Sequence, residues 1–239
     1  MPCFAKMAVA SATVMFALAS PASAQQLTIS PVTATLEKSE KVAVFSVTNG
    51  GTDVVSLQVR PFLWTQPGGV DQLTPTPYIA ASPPLANIPP GQTQIIRVQV
   101  RQPPIQGETA YRLIIDQLPM ALKPGGVIRS GISMVFRYSI PVFVDSGSAD
   151  APNVSGVINP DGTLLLSNHG THHIRVGNPV IEMQSGKLPV MMAGTPYVLA
   201  GCERSWRVRG RPGALRGSVT MTAATDTGTL HVTLLPATR

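Results

Sequence analysis

Cysteine is nearly absent from this chain: only Cys3 and Cys202 occur in 239 residues. Cys3 stands ahead of an apolar run, residues 7–19, which is followed by Ala22-Ser23-Ala24 as an A-x-A cleavage site, so the first 24 residues read as an export signal. Cleavage after Ala24 leaves Gln25 at the start and Cys202 as the single cysteine. No internal disulfide can then form in an oxidising compartment, and stability has to come from burial. Long apolar stretches are also missing. The run at 7–19 is about 13 residues, short of the roughly 20 that span a bilayer, and nothing later is long and apolar enough to anchor the chain. A soluble, exported protein that is not membrane-embedded is expected, with a bacterial periplasm as its compartment.

Charged residues make up 13% of the sequence and aromatic residues 5%. The formal net charge is +6, of which the export signal carries Lys6. The basic residues are scattered as Arg60, Arg97, Arg101, Arg112, Arg129, Arg137 and a loose cluster over 204–216. No basic stripe interleaved with aromatics accompanies them, so nucleic acid is not an expected partner. There is no G-x-S-x-G elbow, no zinc-ligand framework and no phosphate-binding glycine loop, and neither an enzyme nor a cofactor is expected. His169, His172 and His173, with His231 far away, raise the question of a metal. Adjacent residues on a strand point to opposite faces, which keeps His172 and His173 from sharing one ion. The expectation is a polar hairpin beside Asn168-His169-Gly170, with no metal. Cys202 sits in a Gly-Cys-Glu turn without a histidine at catalytic spacing and reads as a buried or idle thiol.

What is present is strand and turn. Alternating or β-branched runs cover 27–36, 42–48, 54–64, 93–100, 110–118 and 127–144, separated by Asn49-Gly50-Gly51, Pro67-Gly68-Gly69, Pro83-Pro84, Pro89-Pro90-Gly91, Pro103-Pro104 and Pro124-Gly125-Gly126. After the polar segment 145–150 a second series follows at 163–167, 172–176, 180–183, 196–199, 205–208, 218–222 and 229–234. Nothing shows a sustained helical period. The fold class expected is all-β, two tandem immunoglobulin-like β-sandwiches over 25–144 and 145–239, with Pro141 near the elbow between them. The run 127–144 is too long for an ordinary strand of roughly 3 to 10 residues. On its even positions lie Ile128, Ile132, Met134, Phe136 and Tyr138; Arg137 falls on the other parity. A strand that overhangs its sheet can offer its backbone and one apolar face to another chain.

The stretches ISPVTATLEKSEKVAVFSVTN from Ile29, PPGQTQIIRV from Pro89, ETAYRLIIDQLP from Glu108 and MVFRYSIPVFV from Met134 resemble the periplasmic chaperones of the chaperone-usher pathway, in particular their archaic branch. LLLSNHGTHHIRV and YVLAGCERSW are similar to the weaker pattern of that family's second domain. The likeness spans nearly the whole chain after the export signal. A short segment between Pro119 and Val127, the lack of paired cysteines and the apolar Leu113-Ile114-Ile115 favour the archaic branch.

The resemblance implies two immunoglobulin-like domains in an L-shaped arrangement. It also implies a client, a pilin or fimbrial subunit whose own sandwich lacks a strand, which the chaperone completes by donor-strand complementation before delivery to an outer-membrane usher. It places Ile128, Ser130, Ile132, Met134 and Phe136 on the donor face. Three large side chains buried at roughly 1.5 to 3 kcal/mol each would hold a client without ATP. It implies that basic residues in the interdomain cleft grip the client's C-terminal carboxylate. Arg137, five residues beyond Ile132, matches one of them. The first-strand position where relatives carry arginine is Thr33 here, and Arg112 on a neighbouring strand is the substitute. Glu108, opening the sixth-strand motif, is implied in domain orientation. A self-capping dimer of the free protein stays open, as does a rival reading as an exported structural or adhesive pilus-associated protein. A subunit of that kind should carry an N-terminal donor extension and usually a single domain.

Overall fold

The computed structural model describes residues 27–119, 135–147, 152–183, 186–209 and 218–236. In the first part of the chain the strands are β1 (Leu27–Ser30), β2 (Ala34–Leu36), β3 (Val42–Asn49), β4 (Val55–Thr65), β5 (Gln72–Pro75), β6 (Ile79–Ser82), β7 (Leu85–Ile88), β8 (Thr93–Val100), β9 (Glu108–Leu118) and β10 (Arg137–Asp145). One sheet runs β1-β3-β8-β6, and the facing sheet runs β2-β10-β9-β4-β5 with β7 also on β4. Alternate residues of each strand turn inward, as a period of two demands. Phe45 and Val47, Leu57 and Val59, Ile96 and Val98, Leu113 and Ile115, and Val142 and Val144 are all buried in one core between the sheets.

Three local departures from the sequence reading have physical causes. The run 27–36 is two strands in different sheets, because the chain crosses over at Pro31, which has no N–H to give a ladder. The proline-punctuated stretch after Trp64 holds β5, β6 and β7, each of four residues, too short for alternation to stand out. Pro141 is not at an elbow. It lies in the middle of β10, opposite Arg112 of β9, while β2 pairs only with Val142, Phe143 and Val144. At Pro141 the edge away from β9 therefore has no strand partner among the described residues, and a missing N–H is tolerated there. Pro61 of β4 uses the same device, falling between the residues that pair with β7 and those that pair with β5.

The second part comprises β11 (Val154–Ile158), β12 (Thr163–Asn168), β13 (Ile174–Arg175), β14 (Gly177–Met183), β15 (Gly186–Met191), β16 (Tyr197–Val198), β17 (Glu203–Val208), β18 (Val219–Thr225) and β19 (Gly228–Pro236). Its sheets close on themselves in the order β11-β12-β17-β15-β14-β18-β19, with β11 parallel to β19, and β13 pairs separately with β16. Leu164, Leu166, Ile181, Trp206, Met221 and Leu234 form its core. The chain is thus all-β, two immunoglobulin-like sandwiches in tandem, as its alternation implied. No helix among the described residues is long and apolar enough to cross a membrane.

Both sandwiches share one polar device. Asn49 ends β3 fully buried, its Nδ2 donating to the carbonyls of Asp53 and Ile88 while its Oδ1 accepts from the Gly51 amide. Asn168 ends β12 in the same way, donating to the carbonyls of His172, Val198 and Leu199 and accepting from Gly170. The two Asn-x-Gly turns read from the sequence are therefore also internal braces that satisfy buried carbonyls of distant loops.

Candidate functional site

The outward face of the β10-β9-β4 sheet joins the two sandwiches at one end. Paired residues on adjacent strands share a face, so Glu108, Ala110 and Arg112 of β9 lie beside Asp145, Phe143 and Pro141 of β10. Ala110, Phe143 and Trp64 meet Tyr197 and Leu199 of the second sandwich in a small buried cluster, with Cys202 packed against it. Trp64 stands edge-on to Tyr197, ring centroids 5.8 Å apart, and the His173 ring stacks flat on Phe143 at 3.5 Å. Burial pushes the Cys202 thiol pKa up, in keeping with an inert thiol.

Polar bonds frame this cluster. The Glu108 carboxylate accepts from the His173 amide at 3.1 Å and lies 2.7 Å from His173 Nδ1, and the Glu108 amide donates to the Thr171 carbonyl. Asp145, opposite Glu108 in the strand register, meets His172 Nε2 at 3.1 Å. His172 and His173 thus each face a carboxylate of the first sandwich, and His169 pairs with Ser155. On the other flank, buried Gln66 donates to the Tyr197 carbonyl and accepts from the Leu199 amide, so one side-chain amide continues the backbone pairing of the second sandwich. Asp71 accepts from Trp64 Nε1, Gln66 Nε2 and Arg204 Nη1, each at 2.9 Å. Burial by itself would raise the Asp71 pKa; the bonds from Arg204, Gln66 and Trp64 outweigh it and hold the carboxyl below its ordinary value.

Arg112 lies inside this frame. Its guanidinium sits 3.7 Å over the Trp64 ring and 5.8 Å from Tyr197, and only 5% of the residue is exposed. Nη1 donates to the Ser139 carbonyl at 3.3 Å, and Nη2 is buried with no hydrogen-bond partner among the described residues. Burial lowers its pKa, opposed by the nearby Asp71, yet an arginine does not discharge in a protein. A buried cation with an unused donor is an arrangement suited to a carboxylate.

Arg137 stands elsewhere on the same face. It pairs with Asp116 in the register, four residues along β9 from Arg112, about 13 Å of strand. Its Nε donates to Asp116 Oδ1 at 2.5 Å, and Arg60 Nη2 donates to Oδ2 at 2.6 Å. The two arginines read from the sequence stand apart: Arg112 is buried at the domain junction, and Arg137 is exposed at 66% beside its own carboxylate. Thr33 is exposed in the crossover between β1 and β2. Phe136, just ahead of β10, is 36% exposed, and Ile128, Ser130, Ile132 and Met134 lie outside the described residues. Residues 1–24 and the cleavage site lie outside them as well.

Sequence reasoning missed Trp64, Gln66, Asp71, Phe143, Tyr197 and Arg204 at the junction, and Arg60 and Asp116 above it. A signal existed for Phe143, which shares the parity of Arg137 and so had to face outward. None existed for Gln66, Asp71 or Arg204, whose partners are more than a hundred residues away or across a turn.

A profile of the pili and flagellar-assembly chaperones, PapD N-terminal domain, matches residues 26–146. Among curated protein sequences none matches the chain. Solved structures share the fold. A chain of the CsuC-CsuE chaperone–tip adhesion subunit pre-assembly complex, from the archaic chaperone-usher Csu pili of Acinetobacter baumannii, aligns with TM-score 0.67 and 24% identity over 88% of this chain and 99% of that one. A chain of the Salmonella enterica SafA pilin–SafB chaperone complex aligns with TM-score 0.64 and 16% identity, covering 88% and 97%. The Pseudomonas aeruginosa CupB2 chaperone aligns with TM-score 0.57 and 12% identity, covering 85% and 98%. With a family profile across the whole first sandwich and the two-sandwich fold of solved pilus chaperones, the chain belongs to the PapD-type pili and flagellar-assembly chaperones.

Proposed function

We propose that this protein is a periplasmic chaperone of the archaic chaperone-usher branch. It is exported, cleaved after Ala24, and takes up pilin-like subunits, whose incomplete sandwich it completes with the strand that runs into β10. Backbone pairing supplies affinity that is largely indifferent to sequence, and Ile128, Ser130, Ile132, Met134 and Phe136 fill the pockets of the missing strand. Capping the client's groove blocks edge-to-edge association until the subunit passes to an outer-membrane usher. The chaperone acts by binding alone, with no covalent step.

The observation that carries this reading is the free edge of β10. From Arg137 to Pro141 the strand is paired, among the described residues, on the β9 side only, because β2 joins it no earlier than Val142. An incoming strand can extend the sheet there, and the sequence just ahead of β10 carries the apolar alternation at 128–136. Arg112, with its buried unused Nη2 at the domain junction, is suited to the client's terminal carboxylate, and Arg137 supplies a second positive charge on the same face. Glu108, bonded to His173, fixes the angle at which the two sandwiches meet. Solved relatives described as chaperone–subunit complexes support the choice of partner.

Co-expression with pilin subunits tests it. Wild type should keep the subunit soluble and co-purify with it, and Ile132→Asp and Arg112→Ala should each lose it. Undiminished recovery with both substitutions would overturn the reading.

A further inference from the structure

We infer that Asp116 is an internal carboxylate that occupies the anion site of Arg137 in the free protein, and that Arg60 sets how tightly it does so. The inference deepens the function proposed above and rests on the client carboxylate reaching Arg137 itself on this sheet face, about 13 Å of strand from Arg112.

Asp116 lies between two arginines from the flanking strands. Arg137 is its direct register partner on β10, and Gln58, two residues from Arg60, is its partner on β4. Both carboxylate oxygens are engaged, Oδ1 by Arg137 Nε and Oδ2 by Arg60 Nη2, and the Asp116 side chain is only 13% exposed. The arginine side chains are 66% and 43% exposed, so the acid is the enclosed member and the bases face outward. The bond from Arg137, helped by Arg60 and opposed by burial, holds Asp116 below its ordinary pKa, and the acid stays charged at neutral pH. The group carries one surplus positive charge. A cavity of about 430 Å³ opens beside it, lined by Gln58, Val135, Phe136 and the three charged residues among others. Arg60 Nε is buried there without a hydrogen-bond partner among the described residues.

These facts have a definite sign. Asp116 takes the Nε of Arg137, so an incoming carboxylate is left the terminal nitrogens or must displace Asp116, and it meets one surplus charge in place of two. Arg60 offsets the internal acid and shares its hold. Asp116 thereby weakens the anion site, which keeps client release within reach, and Arg60 restores part of the attraction.

The test uses the full mature chain and two fluorescent peptides of one alternating apolar sequence, one ending in a free carboxylate and its twin in an amide. Asp116→Asn should bind the free-acid peptide about three- to tenfold more tightly than wild type at low salt, as expected for one added charge a few ångströms away in a screened setting, with the gain fading at high salt. It should leave the amidated peptide unchanged. Arg60→Gln should weaken the free-acid peptide several-fold. Asp116→Asn binding equal to or weaker than wild type, or Arg60→Gln binding more tightly, would overturn the inference. If neither Arg112→Ala nor Arg137→Ala alters the preference for the free acid, the carboxylate reading itself has failed and takes this inference with it. If those two lose the preference while Asp116→Asn does not gain, the inference alone has failed.

Discussion

Glu108 and His173 are joined by two bonds across the two sandwiches, the carboxylate accepting the His173 amide at 3.1 Å and lying 2.7 Å from its Nδ1. Their side chains are 3% and 15% exposed, so water cannot readily replace the acid. Glu108→Ala leaves both groups without a partner inside the junction, and a loss of about 1–3 kcal/mol is expected. Urea unfolding should show the lower midpoint. Small-angle scattering should show a broader spread of interdomain distances, while Glu108→Gln, which keeps one acceptor, should fall between.

Arg112→Met should separate function from stability. The thioether chain keeps a packed stem over Trp64 and removes a buried charge whose Nη2 has no partner among the described residues, so the melting temperature should hold or rise. Client recovery should fall at least about tenfold, the lower end of what a charge-assisted bond of roughly 1.5–3 kcal/mol supplies. A variant that melts earlier yet binds its subunit normally would contradict both halves.

Asn168→Ala removes the donor shared by the carbonyls of His172, Val198 and Leu199 and the acceptor for the Gly170 amide. A cost of about 1–3 kcal/mol is expected in urea titrations. Asn49→Ala should cost a similar amount through the first sandwich.

Acid should destabilise the protein through its aspartates. Asp116 is held below its ordinary pKa by Arg137 first and Arg60 second; Asp71 is held low by Arg204, Gln66 and Trp64 against an opposing burial effect. A carboxyl with a depressed folded-state pKa contributes stability that is complete above its unfolded value, about pH 4, and is lost as pH falls through the lower folded value. The urea midpoint should therefore be flat in pH with respect to these groups above about 5 and decline below 4. Asp71→Asn should lower the plateau and make the acid limb shallower. An acid limb as steep as that of wild type would rule out the role given to Asp71.

The alternating or β-branched runs at 42–48, 93–100 and 110–118 were enough to place β3, β8 and β9, because strand propensity and period are local properties of the chain. The two Asn-x-Gly turns were equally local. By contrast, β5, β6 and β7 are four residues each and lie among prolines, and β11 and β15 were passed over because Gly156 and Pro189 interrupt their apolar pattern. Pro141 misled because a proline reads as a bend unless one knows that β2 pairs with β10 only from Val142 on, leaving the edge at Pro141 without a strand partner among the described residues.

The sequence alone therefore determined the all-β class, the tandem arrangement, the parity of Arg137 and the family, since each of these is written in local period, turn chemistry and motif order. Only the tertiary structure decided which polar groups keep company. That Arg112 is buried over Trp64 with a spare donor, that Arg137 is held by Asp116, and that two neighbouring histidines meet carboxylates from the other sandwich all follow from strand pairings over long sequence separations. Charge and burial at a site depend on which strands lie side by side, and a one-dimensional pattern records a residue's face without recording its neighbours.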